Sequence, residues 1–113
     1  MREIEKFAVA FRGIRLLISR EPHARVHARI ALAVIIAGFW CHISDTEWIM
    51  LIITITLVIG AEAFNTALEK LSDLVQPAYD ERIRTIKDIA AGAVLLSAIA
   101  AVVIGLIIFI PHI

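Results

Sequence analysis

The feature that most constrains the fold is an uncharged apolar stretch at residues 89–110, which contains 22 residues. The hydrocarbon core of a bilayer is about 30 Å thick, so about 20 helical residues cross it. Segments 30–43 and 48–61 are also apolar and reach membrane length with their flanks. Because a helix satisfies its own backbone polar groups in lipid, the chain is predicted to be an all-α membrane protein. We expect one domain, residues 1–113, with three transmembrane helices at about 26–43, 48–68 and 89–110.

Residues 3–19 predict a separate amphipathic helix before the first span. Large apolar side chains recur there at intervals of four, three and four residues: Phe7, Phe11, Ile14 and Ile18. Such a helix is too short to cross a bilayer, and its basic polar face suits the inner membrane surface. Pro22 favours the start of a new helix and places Glu21 directly before it. Residues 76–82 form the clearest predicted loop, because Pro77 cannot continue a helix without cost.

The positive charges lie on one predicted side of the membrane. All eleven Lys and Arg residues either precede the apolar segment 30–43 or fall between the second and third spans, at positions 70–87. The connection between spans 1 and 2 contains Asp45 and Glu47 and no basic residue. The positive-inside rule therefore places the N-terminus and residues 70–88 in the cytoplasm and the C-terminus outside. The basic N-terminal run suits anionic lipid, and nothing beyond charge favours nucleic acid.

A polar stripe follows the second apolar segment. It consists of Glu62, Asn65, Glu69 and Asp73, which occur at intervals of three or four residues. At about 100° per residue these four side chains share one face of a helix. Carboxylates at membrane depth are costly, so they rarely occur there without a function. Three acids and an amide on one stripe favour metal binding, proton transfer, or both.

These residue types are suited to phosphoryl transfer at a membrane surface. Mg²⁺ is often bound by one or two carboxylates plus substrate phosphates, and Glu69 with Glu21 beside it would supply them. Glu62, two turns deeper, would face the headgroup zone and act as a general base for a lipid hydroxyl. Lys87 would balance phosphate charge. The five glycines are scattered and form no soluble-type nucleotide loop.

Two motifs resemble those of the prokaryotic diacylglycerol kinase family. Residues 61–73 read Ala-Glu-Ala-Phe-Asn-Thr-Ala-Leu-Glu-Lys-Leu-Ser-Asp and match the family pattern E-x-x-N-[ST]-A-[IL]-E-x-x-x-D. Residues 87–94, Lys-Asp-Ile-Ala-Ala-Gly-Ala-Val, resemble its second motif. The resemblance covers nearly the whole chain. It implies a homotrimeric lipid kinase of the bacterial cytoplasmic (inner) membrane, with three spans and an N-terminal surface helix per subunit. Its active sites would lie between subunits and use ATP with Mg²⁺.

The resemblance also implies roles for individual residues. Glu62 resembles the catalytic base that meets the lipid substrate, and Asn65 would support the reaction centre. Glu21 and Glu69 resemble the Mg²⁺ ligands. The positions on the nucleotide side are Arg2, Glu21, Glu69, Tyr79, Asp80, Lys87 and Asp88. Arg2 also falls near the lipid, and its match rests on spacing alone.

The sequence indicates the type of reaction more clearly than it indicates which lipid alcohol is phosphorylated. Residues 25–27, Arg-Val-His, and the ending at 105–111 look more like the undecaprenol kinase branch than the enterobacterial branch, which carries an acid at position 27. The usual Tyr-His pair of the family reads Tyr79-Asp80 here, which puts a side-chain role at position 80 in doubt. Undecaprenol and diacylglycerol both offer a primary hydroxyl at headgroup level, so the acids do not distinguish them.

Simpler interpretations exist for the same residues. Glu62 would serve as a hydrogen-bonded acid in a helix bundle, and Asp73 as part of a solvated face. His23 and His27 have the i, i+4 spacing of helical zinc ligands. With no third ligand in evidence, packing or interfacial histidines fit them better. For the whole chain, the alternatives are a small ion or proton conduit, with Glu62 as an intramembrane relay, and a purely structural membrane subunit.

Overall fold

The computed structural model describes residues 2–113, which form four α-helices joined by short connections. Helix α1 is Glu3–Arg20, α2 is Pro22–Cys41, α3 is Asp45–Val75 and α4 is Glu81–Phe109, with a 3-10 turn at Ile110–His112. No strand occurs among the described residues. The predicted all-α class is therefore confirmed, and α2, α3 and α4 with its terminal turn are each long and apolar enough to cross a membrane.

The junction between α1 and α2 lies where Pro22 predicted it. Glu21 adopts an extended backbone conformation and Pro22 occupies the first turn of α2. The guanidinium of Arg25 donates hydrogen bonds to the carbonyl oxygens of Ile18 (3.2 Å) and Ser19 (2.9 Å). Basic side chains commonly satisfy the last carbonyls of a helix in this way. The end of α1 is thus fixed to the start of α2.

The turn between α2 and α3 is closed by local capping. His42 ends α2 in the left-handed conformation, with φ of 53°. The Ser44 hydroxyl accepts from the Glu47 N–H at 3.2 Å, and the Glu47 carboxylate accepts from the Ser44 N–H at 3.0 Å. This reciprocal capping box satisfies two backbone donors that a helix start otherwise leaves unpaired. Helix α3 therefore begins three residues before the predicted span.

The three long helices run antiparallel, with α3 packed against both α2 and α4. At the end that carries the α2–α3 turn, Ile43, Leu51 and Ile108 form a small buried cluster. Gly38 lies so close to Trp48 that a Cβ atom at position 38 would be 2.7 Å from the indole ring. The glycine thus allows the two helices to approach each other next to the turn.

The opposite end carries the α1–α2 junction and the α3–α4 loop. That loop covers residues 76–80, so α4 begins at Glu81, within the loop predicted at 76–82. The prediction was wrong at its last two residues because Asp80 caps α4 and starts the helix before Arg82. Most large apolar side chains of the three spans are exposed in the isolated chain. Such exposure fits helices whose outer faces contact lipid or other copies of the chain.

Candidate functional site

The polar stripe on α3 changes from buried to exposed along the helix. Glu62 is 6% exposed and Asn65 is 9% exposed, whereas Glu69 and Asp73 are exposed. Helix periodicity brings these side chains to one face, as the spacing predicted. The stripe therefore offers one carboxylate in a low-dielectric environment and another in contact with water, about 10 Å apart along a helix that rises 1.5 Å per residue.

Asn65 is hydrogen bonded to the outer carboxylate, Glu69, of this stripe. Its Nδ2 atom donates a hydrogen bond of 2.9 Å to Oε1 of Glu69, one turn further along α3. Its Oδ1 atom is buried and has no hydrogen-bond partner within the described part of the chain. A buried acceptor without a partner costs about 1–3 kcal/mol. The bond from Nδ2 therefore fixes the side chain to Glu69, while the buried Oδ1 atom remains unsatisfied within this part of the chain.

Glu62 meets a histidine from the neighbouring helix. Nε2 of His27 on α2 lies 3.6 Å from Oε2 of Glu62. The side chains are 23% and 8% exposed, respectively, so this contact is mostly shielded from solvent. Sequence reasoning assigned His27 to packing or to the interface and did not place it beside Glu62. A histidine at the start of the predicted first span was the available signal, but the register of α2 against α3 was needed to interpret it.

That register is visible at the start of α2. The Glu21 carboxylate contacts the Lys70 ammonium group at 3.1 Å, with side-chain exposures of 24% and 66%. Glu21 is thus brought to the turn of α3 that contains Glu69, as the ligand hypothesis requires, although its direct partner is the next residue. His27 follows Glu21 on α2, and Glu62 precedes Lys70 on the antiparallel helix α3. The two contacts therefore belong to one register of α2 against α3.

A second group of the predicted residues lies at the α3–α4 loop. Lys87 on α4 is hydrogen bonded to Asp73 on α3, and Arg84 pairs with Asp88 at 3.1 Å. An open cleft beside the loop is lined in part by Asp73, Tyr79 and Lys87. The Tyr79 ring is 81% exposed. The cleft therefore combines an exposed aromatic ring with a lysine ammonium group.

Asp80 differs from its neighbours because its carboxylate is already used within the chain. It accepts from the Arg82 N–H at 2.8 Å and from the Arg82 guanidinium at 3.0 and 3.3 Å. The hydrogen bonds from the Arg82 side chain, followed by that from its backbone, lower the pKa of Asp80 from 3.8 to about 2. The geometry accordingly gives Asp80 a role as the N-cap of α4.

Arg2 lies apart from both groups. It occupies the N-cap of α1, where its backbone N–H donates to Oε2 of Glu5 at 3.1 Å. Over residues 2–113, no ion pair joins Arg2 to the α3 stripe or to the α3–α4 loop. A shared site would therefore require another copy of the chain or a bound substrate to bring Arg2 into contact.

Mg²⁺ prefers oxygen donors, and carboxylates at this end of the bundle offer them. Across the described residues, no three His, Cys, Asp or Glu side chains cluster as a metal site. Mg²⁺ does not need such a cluster, because it is usually held by one or two carboxylates together with substrate phosphates and water. The Glu69 carboxylate is exposed, and Glu21 lies on the same end of the bundle. This oxygen donor set fits Mg²⁺ bound with a nucleotide.

Comparison with known proteins identifies the same family that the two sequence motifs resemble. The sequence model of the family described as prokaryotic diacylglycerol kinase matches residues 8–109. Undecaprenol kinase from Bacillus subtilis is 36% identical over 110 residues, which are 97% of this chain and 89% of that protein. Diacylglycerol kinase from Synechocystis is 39% identical over 106 residues, covering 93% of this chain and 61% of that protein. Diacylglycerol kinase from Escherichia coli strain K12 is 26% identical over 111 residues, or 98% and 91% of the two chains. The lower identity to the Escherichia coli protein agrees with the predicted resemblance to the undecaprenol kinase branch.

Proposed function

Because the chain belongs to the prokaryotic diacylglycerol kinase family and is a lipid kinase, we propose that it transfers the γ-phosphoryl group of ATP to a membrane lipid alcohol. The acceptor is the primary hydroxyl of undecaprenol or diacylglycerol, and the product is undecaprenyl phosphate or phosphatidic acid. The reaction takes place at the cytoplasmic surface of the bacterial inner membrane, with the N-terminus inside and the C-terminus outside. The observation that carries this proposal is the change from buried Glu62 to exposed Glu69 along one face of α3.

Glu62 acts as the general base in this reaction. Its carboxylate accepts the proton of the lipid hydroxyl while the hydroxyl oxygen forms a bond to the γ-phosphorus atom. The bond between that phosphorus and the bridging oxygen breaks, and ADP leaves with the bond's electron pair. Burial suits this role, because it keeps bulk water away from the proton transfer. Asn65 holds Glu69 by a hydrogen bond and supports the reaction centre in this way.

The remaining polar residues serve the nucleotide side. Glu21 and Glu69 would hold Mg²⁺, which when bound offsets the negative charge of the phosphates. The Lys87 ammonium group, now paired with Asp73, is close enough to the loop to exchange that carboxylate for a phosphate oxygen. The exposed Tyr79 ring offers a surface for the base. Asp88 and Arg2 complete the nucleotide side, Arg2 also facing the lipid, and Asp80 acts through the loop that it caps.

The site is completed by self-association, and we assign a homotrimer with active sites shared between subunits. In the single chain, Glu69, Tyr79 and most apolar surfaces of the spans are exposed. Three thin helices do not enclose a nucleotide, and a polar face within the bilayer needs protein rather than lipid against it. Contact between copies satisfies both requirements. Helix α1 would lie on the inner membrane surface beside the site.

The function is tested by phosphoryl transfer from labelled ATP in mixed micelles that contain undecaprenol, diacylglycerol or both. We expect wild-type protein to phosphorylate at least one alcohol, with catalytic efficiencies that identify the preferred lipid. Glu62→Gln should reduce kcat by about 10²–10⁴-fold, the range typical of a lost general base, while the oligomer remains intact. Absence of lipid phosphorylation in the wild type would refute the proposal. Near-normal turnover in Glu62→Gln would refute the assignment of the base.

A further inference from the structure

The contact between His27 and Glu62 is the polar feature that the proposed reaction leaves unexplained. Over residues 2–113 it is the single ion-pair contact of Glu62, and no side chain or backbone group donates a hydrogen bond to this carboxylate. Burying a carboxylate without a partner is strongly unfavourable. The imidazole is therefore the group that determines the local environment of the proposed base.

The geometry indicates how the imidazole acts. Nε2 of His27 faces Oε2 of Glu62 at 3.6 Å, which is too long for a hydrogen bond and within the range of an ion pair. Polar contacts in a ligand-free site are often long and tighten when the substrate binds. If the Nε2 atom of His27 contacts Oε2 of Glu62, the other carboxylate oxygen, Oε1, remains free to contact the hydroxyl group of the lipid acceptor. One carboxylate oxygen is then fixed by α2 while the other meets the substrate.

We propose that His27 is a positioning residue for Glu62. Its Nε2 atom holds Oε2 and fixes the carboxylate rotamer, so that Oε1 points to the lipid hydroxyl. This inference rests on the proposed function, in which Glu62 is the base. The imidazole exchanges no proton with the substrate. Because the contact joins α2 to α3, it also makes the base sensitive to the relative position of the two spans.

The opposite end of the bundle provides a matched control. There, Nε2 of His112 lies 3.5 Å from Oε2 of Glu47, with side-chain exposures of 29% and 28%. This second His–Glu contact has nearly the same length and ties the C-terminal turn to the start of α3. It lies on the far side of the membrane from the α3–α4 loop. A purely structural role for His27 would make the two contacts equivalent in their effect on activity.

The experiment measures kcat and the KM for ATP of the detergent-solubilised oligomer in mixed micelles with lipid alcohol. His27→Phe keeps an aromatic ring and removes both nitrogens, His27→Gln keeps an N–H donor at similar reach, and His112→Phe breaks the control contact. Misplacing a reacting group by about 1 Å costs up to about 10²-fold in rate. We expect His27→Phe to lower kcat about 10–100-fold with an unchanged KM for ATP. His27→Gln should recover most of kcat, and His112→Phe should retain wild-type kcat.

A third variant at position 27 keeps the inference testable if His27→Phe does not assemble. His27→Ala leaves space for free imidazole, and added imidazole should restore part of the lost kcat. Wild-type kcat in His27→Phe would overturn the inference, as would equal losses in His27→Phe and His27→Gln. If His27→Phe and His112→Phe both lose activity in proportion to their loss of thermal stability, His27 has a structural role instead. An inactive wild type, by contrast, would overturn the proposed function and not this step alone.

Discussion

Replacing Asn65 by leucine should separate stability from activity, because the side chain is buried with one of its polar atoms unpaired. Leucine has the same number and branching of side-chain heavy atoms, so the change keeps the approximate shape of the side chain on α3. It removes the buried Oδ1 atom that lacks a partner and the hydrogen bond of 2.9 Å from Nδ2 to Glu69. These two losses act in opposite directions on the free energy of unfolding.

The structure sets the size of each effect. Removing an unpaired buried acceptor recovers about 1–3 kcal/mol. Losing the hydrogen bond to Glu69 costs about 1 kcal/mol, the typical net value of an intramolecular hydrogen bond, because the exposed Glu69 carboxylate regains water. The variant Asn65→Leu should therefore be as stable as the wild type or more stable by up to about 2 kcal/mol. Its kcat should fall at least about tenfold, since 1.4 kcal/mol of lost orientation corresponds to that factor.

Thermal unfolding of the purified protein in detergent micelles, followed by circular dichroism, measures the stability. Turnover with lipid alcohol and saturating ATP measures kcat in the same preparation. Thr66→Val is the matched control, because it changes a half-buried polar residue to an apolar one on the adjacent position of α3. A variant Asn65→Leu that loses stability and activity together would refute the reasoning, because Asn65 would then be a structural residue of the bundle.

Two further perturbations test the ends of the bundle by unfolding measurements. Gly38→Ala places a Cβ 2.7 Å from the Trp48 ring and should destabilise the fold by about 1–3 kcal/mol, as overpacking usually does; Gly60→Ala, with open space around position 60, should not destabilise it. Because the folded pKa of Asp80 is about 2 against an ordinary 3.8, its contribution to stability is present above about pH 4 and is lost as pH falls to about 2. Asp80→Asn keeps a good helix cap and should lose less stability than the wild type over that acid range; equal losses would contradict the assigned pairing with Arg82.

The parts of the fold that follow from local rules could be predicted from the sequence. The uncharged length of residues 89–110 requires a membrane helix, and the break at Pro22 follows from a ring that cannot continue a helix ladder. The spacing of Glu62, Asn65 and Glu69 places them on one face because helix periodicity is fixed. These inferences need only one segment at a time, so they do not depend on how the helices pack.

The parts of the site that depend on contacts between helices could not be predicted in the same way. His27 faces Glu62 only because α2 and α3 are in a particular register, which the Glu21–Lys70 contact reveals. Apolar surfaces of transmembrane helices permit many registers, since lipid is as apolar as the side chains that pack against it. The early start of α4 depends likewise on Asp80 and its hydrogen bonds, which override the expectation from Pro77.

The placement of the stripe on a single helix explains how two immiscible substrates can meet in the proposed reaction. Glu62 and Glu69 are seven residues apart, so a straight helix separates them by about 10 Å in depth and returns them to nearly the same face. The deeper carboxylate is shielded and the outer one is exposed. A loop would not hold this difference in depth, because its backbone would need water within the bilayer. In the proposed reaction the helix thus sets the distance between the group that meets the lipid hydroxyl and the group that meets the nucleotide phosphate, and the proposed role of His27 is to orient the deeper group.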